Sequence, residues 1–202
     1  MSVVSSGASR RPPGTGSPAG SPGAPGVAVE SATWRPVRTV DLDGWLLGVS
    51  GGFTRRANSV LPLAEPADLD AALAAVEHEY HGAGRAAVFR VCAAARPADL
   101  AARLRGRGYR TVAATQVLVR GVDEHARAPE PTAGMHLSVA DVPDDAWLDG
   151  WLSVKATAGD AHRDLARSVV HGSPALYVRA VAGERTLGVV RAARAGDWVG
   201  LS

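Results

Sequence analysis

The richest run of chemistry-bearing side chains in this 202-residue sequence is Gly51-Gly52-Phe53-Thr54-Arg55-Arg56-Ala57-Asn58-Ser59. Arginine offers a planar fork of donors that matches carboxylates and phosphates. Arg55, Arg56 and Asn58 are therefore candidate binding residues for an anionic group at a cleft. The ordinary reading of the same residues is a glycine-led turn that carries its arginines into water. A nucleotide-phosphate loop is excluded, because the lysine and hydroxyl of G-x-x-x-x-G-K-[ST] are missing. His78 and His81 stand one helical turn apart, but the zinc-protease spacing is one residue longer and no third ligand stands out. Imidazoles at a helix end are also favoured by the dipole, so no metal is expected. Asp160, His162, Asp164 and Ser168 crowd into about two helical turns without a nucleophile elbow, so they make no hydrolase triad. Cys92 reads as a small buried hydrophobe. Trp147 and Trp151 lie one turn apart. Core packing is their usual account, and Trp151 is retained as a substrate-facing candidate. No catalytic residue is assigned.

The elements that must position these residues follow from pattern. Hydrophobic content is 46% and charged content 21%, ordinary for a globular protein. The charge is balanced, 22 basic against 20 acidic residues, which argues against a nucleic-acid partner. The basic run "RLRGRGYR" has one aromatic and reads as a solvated face. A lone cysteine forms no internal disulfide, and no apolar run approaches the ~20 residues that span a bilayer. The expectation is a cytoplasmic protein without membrane partners.

Residues 1–30 are Ser, Gly, Pro and Ala-rich and are expected to form a disordered tail. "DGWLLGVS" and "NSVLPL" read as antiparallel strands around the glycine-led turn. "DLDAALAAVEHEYHG" is an amphipathic helix with Asp68 as its N-cap. Strand, short helix and strand follow to residue 122, in the order β, β, α, β, α, β. Residues 123–134 read as a linker. Residues 135–202 read as strand, two helices (the first capped by Asp144) and three strands. Gly188–Ala192 and Trp198–Leu201 are the apolar runs that flank the final tight turn. The fold class expected is α/β (α+β), two modules of mixed, mainly antiparallel sheet with flanking helices.

Strand, two helices and an antiparallel meander resembles the opening of the GNAT acyltransferase fold. "DGWLLGVSGGFTRRANSVLPL" is similar to the signature of bacterial two-module GNAT proteins, some described as N-acetylglutamate synthases or histone-type acetyltransferases. The likeness covers roughly Trp34 to Ser202. It implies an N-acetyltransferase that moves acetyl from acetyl-CoA to a primary amine, such as that of glutamate. In that family a backbone N–H of the fourth strand polarises the thioester carbonyl. Here "WVGLS" stands at that strand, so Val199 and Leu201 are the implied cofactor-binding residues. The family's phosphate loop would begin about a dozen residues later. The resemblance thus implies a C-terminal module cut short at its cofactor site, with no turnover and an apolar edge that aggregates or pairs with another chain. A homo-oligomer is left open. The rival reading is a non-catalytic module that binds a small ligand or a partner.

Overall fold

The computed structural model describes residues 2–7, 25–122, 130, 132–155 and 160–202. The chain divides into two units, residues 1–21 with 36–119, and residues 22–35 with 120–202.

The first unit is built on a hairpin. Strand β2 (Arg38–Leu42) turns at Asp43-Gly44 into β3 (Trp45–Val49), and both turn residues have positive φ, +50° and +81°. That is the twist a two-residue hairpin loop demands, and Asp-Gly supplies it at low cost. Asp41 Oδ1 accepts a hydrogen bond from Gly44 N at 2.8 Å and closes the turn. Strand β4 (Val60–Pro62) pairs antiparallel with β3, as the sequence pattern indicates. Helix α2 (Leu69–Gly82) then crosses over. Asp68 caps it by accepting from Ala71 N, and Leu73, Val76 and Tyr80 face the core. Strand β5 (Val88–Val91), helix α3 (Leu100–Gly106) and strand β6 (Arg110–Gln116) complete the order. Strands β4 and β5 are parallel and share only the Val60–Phe89 pair.

The core of this unit gathers Trp45, Leu47, Val60, Leu73, Val76, Phe89, Leu100 and Leu104. The rings of Trp45, Phe89 and Tyr109 meet edge to face in series, the favoured aromatic geometry. Two aromatic side chains of this core find backbone acceptors for their polar atoms. Trp45 Nε1 donates to Ala64 O at 2.9 Å, and Tyr80 Oη donates to Gly48 O at 2.8 Å.

The segment 1–30, expected to be a tail, carries structure among its described residues. Strand β1 (Ser2–Gly7) lies between β5 and β6, parallel to both. Its "SVVSS" run holds β-branched residues suited to a strand, and its pairing on both sides offsets the entropy of ordering it. Helix α1 (Val27–Thr33) follows and belongs to the second unit. The expected linker, 123–134, lies mostly outside the described residues.

The second unit is a four-stranded antiparallel sheet in the order β10 (Trp198–Leu201), β9 (Arg185–Ala195), β8 (Ala175–Ala182), β7 (Met135–Ala140). Helices α4 (Asp145–Leu152) and α5 (Asp160–Val170) join β7 to β8. Asp144 caps α4 by accepting from Trp147 N at 2.6 Å. That fixes the phase of the helix, which buries Trp147, Leu148, Trp151 and Leu152 together. Helix α4 packs on β8 and β9, and α1 packs on β9 and β10. On that face Tyr177, Val181, Arg191 and Ala193 are buried. The other face is apolar and open, with Leu137, Val139, Leu176, Val190, Val199 and Leu201 exposed.

Candidate functional site

The two groups of residues singled out in the sequence fall in different units. In the first unit, the loop from Ser50 to Ser59 is wired by the side chain of Asn58. Its Oδ1 accepts from Ser50 N and Gly52 N at 2.8 and 2.9 Å, and its Nδ2 donates to Thr54 O at 2.8 Å. One amide thus does the work of a short strand partner, satisfying backbone groups that a loop otherwise leaves to water. Ser59 Oγ donates to Arg56 O at 3.0 Å, and Arg85 Nη2 donates to Gly51 O. Phe53 and Ala57 are buried beneath the loop. Arg55 and Arg56 are exposed on this fixed frame. Asn58 is thus engaged with the loop itself, while the arginines are displayed.

In the second unit, β10 is an edge strand. Arg191 and Ser202 exchange both backbone hydrogen bonds, at 2.8 and 3.0 Å. Antiparallel pairs alternate between bonded and non-bonded. With Gly200 opposite Ala193 and Trp198 opposite Ala195, those two residues also bond towards β9. Val199 and Leu201 are the non-bonded positions. Their N–H and C=O groups point off the edge of the sheet, and their side chains, 55% and 71% exposed, lie on the open face. Trp151 is placed differently. It is only 5% exposed, its ring lies 5.9 Å from that of Trp34 and 6.1 Å from that of Trp147, and Lys155 Nζ sits 4.7 Å above it. It is a core residue rather than an open platform.

A family of acetyltransferase type, described as "Probable histone acetyltransferase Rv0428c C-terminal", matches residues 28–202. The chain belongs to this family. No curated protein and no solved structure matches it.

The matched span of this acetyltransferase family begins within α1 and ends beyond β10, and these two elements enclose a feature the sequence did not disclose. Arg191 is 1% exposed, and its guanidinium bonds backbone carbonyls and a serine hydroxyl. Its Nε donates to Val170 O, Nη1 to Thr33 O and Nη2 to Ser173 O, each at 2.8 Å, and Nη2 also meets Ser173 Oγ at 2.7 Å. Val170 and Thr33 are the last residues of α5 and α1. Terminal helix carbonyls lack an intrahelical partner and carry the negative end of the dipole. Two helix ends converging on one guanidinium therefore stabilise this buried cation through their carbonyls. Trp34 covers it, with the ring centroid 5.4 Å from the guanidinium carbon. Nearby, burial pushes the His171 imidazole below its ordinary 6.5, and the positive charges of Arg167 and Arg191 push it further. At the outer end of α4, Arg163 and Arg167 bond Asp145 and hold its carboxyl below the usual range.

The signal for Arg191 was its parity. It shares the inward face with Val189 and Ala193, and an arginine at an inward strand position must be paired.

Proposed function

We propose that the chain is a GNAT-type N-acetyltransferase scaffold that takes acetyl-CoA at the β10 edge and a primary amine as acceptor. The observation that carries this reading is the pair of outward N–H and C=O groups at Val199 and Leu201. An exposed sheet edge accepts an extended, amide-bearing chain as an added strand, and the pantetheine arm of coenzyme A is such a chain. The residues present fit that arm. Val199 and Leu201 would hold its amides through their backbone groups, with their side chains giving it an apolar bed. An N–H fixed in the strand would also stabilise negative charge developing on an acyl oxygen. Acetyl-CoA, when bound, supplies an activated thioester for attack by the amine. The element order from β7 to β10, β-α-α-β-β-β, supports the same reading.

Arg55 and Arg56 stand exposed on a loop held by Asn58 and suit, within the first unit, a small carboxylate-bearing ligand such as glutamate. Asn58 and Trp151 contribute from behind, one by holding the loop and the other by packing the core.

Calorimetric titration of the full chain with acetyl-CoA and with free amino acids tests this. Acetyl-CoA is expected to bind, with hydrogen exchange slowed at Val199 and Leu201. Binding of an amino acid without acetyl-CoA would favour a non-catalytic ligand-binding module instead.

A further inference from the structure

We infer that Arg191 is a positioning residue that ties α1 to β10 and thereby sets the line of the strand edge. Three observations carry this. First, the Arg191 backbone bonds both ways with Ser202, at the end of β10, while its side chain grips Thr33 O at the end of α1. One residue therefore fixes both elements. Second, Thr33 presses on β10 at Gly200. A Cβ built on Gly200 would lie 2.6 Å from Thr33 Oγ1, 2.8 Å from its Cβ and 3.0 Å from its Cγ2. No other residue type fits without moving the helix or the strand. Gly200 sits between Val199 and Leu201, so any such shift displaces both outward N–H groups. Third, the grip is cooperative. Ser173 Oγ donates to the same Thr33 carbonyl at 3.1 Å and accepts from Arg191. Hydrogen bonds linked in this way polarise and strengthen one another.

The link is made of few atoms, so it is separable by mutation. The guanidinium reaches three carbonyls that face it from three directions. An ammonium at the same place keeps the charge at the two helix ends but lacks the fork, so Arg191→Lys should loosen α1 without unfolding the sheet. Arg191→Met removes both charge and donors. Gly200→Ala strikes the contact from the other side and leaves Arg191 intact. Thr33→Gly removes all three atoms that the new methyl would meet.

The role of the edge in acetyl-CoA binding rests on the function proposed above; the coupling of α1 to β10 does not. The test therefore has two readouts on the full chain. In hydrogen exchange without ligand, Arg191→Lys and Gly200→Ala should each speed exchange at Thr33–Trp34 and at Gly200–Ser202 together, while α2 in the first unit is unchanged. Adding Thr33→Gly to Gly200→Ala should restore protection at Gly200–Ser202. In calorimetry under conditions where each variant is folded, Gly200→Ala should weaken acetyl-CoA binding about tenfold, and the double variant should recover it. A purely structural arginine would lower the unfolding midpoint but leave affinity and rescue unmoved. Exchange at β10 that stays at the original rate in Arg191→Lys, or a Gly200→Ala defect that Thr33→Gly does not relieve, overturns the coupling. If the original chain fails to bind acetyl-CoA while the paired exchange changes appear, the coupling stands and the acetyl-CoA reading falls.

Discussion

Arginine is used in opposite ways in the two units. In the Ser50–Ser59 loop, the frame is held by Asn58 and the arginines at 55 and 56 face outward. Under α1, the frame is held by an arginine, and the groups around it are backbone carbonyls and a serine. The difference lies in what each site must satisfy. A tight loop strands N–H donors as well as a carbonyl, and an amide, being both acceptor and donor, serves both. Two converging helix ends strand only carbonyls, and a guanidinium, which is all donor, answers them.

That contrast predicts a ranking of effects. The largest belongs to Arg191→Met, which removes the guanidinium's bonds to the carbonyls of Val170, Thr33 and Ser173, leaving Tyr177 Oη on the first and Ser173 Oγ on the second. A loss of about 3 kcal/mol is expected from urea unfolding followed by a probe of the second unit. If the loss is negligible, the helix ends are not held by this side chain. Asn58→Ala comes next, at about 2 kcal/mol in the first unit, with Asn58→Asp losing only the Thr54 bond and falling between. His171 gives a smaller, pH-dependent effect. Its folded pKa lies below the 6.5 of the unfolded chain, so on acidification the unfolded state takes the proton first. Stability of the second unit is full above about pH 6.5 and declines as pH falls towards the folded value. His171→Asn should flatten that decline in midpoint-versus-pH curves. Arg55→Ala should be smallest of all in stability, within about 0.5 kcal/mol, while weakening the binding of a carboxylate-bearing acceptor. Appreciable destabilisation there would show that Arg55 is part of the frame.

Elements with strong local signals were legible. Asp68 and Asp144 mark the starts of α2 and α4, and both side chains make the cap bonds. The meander β8–β9–β10 follows from its apolar runs and glycine turns. Helix α1 was not legible. It starts at Gly26 with no side-chain cap and spans only seven residues, so its stability comes from packing rather than from propensity. Strand β2 is mostly exposed, and its alternation, Val40 and Leu42 inward against Thr39 and Asp41, runs over only four residues. Of the candidate site, the exposure of Arg55 and Arg56 fits the glycine-led turn, while Val199 and Leu201 rest on resemblance alone. The side-chain duties of Asn58 were hidden because they depend on how the loop closes. Arg191 was hidden because its partner Thr33 lies 158 positions away, where no local pattern reaches.

That separation has a consequence for biosynthesis. Helix α1 emerges from the ribosome about 150 residues ahead of the strands it covers. At about 5–20 residues per second, α1 waits on the order of ten seconds or more for its docking surface. Through that interval the first unit can complete its own packing, while a nascent helix with an apolar side remains open to chaperones.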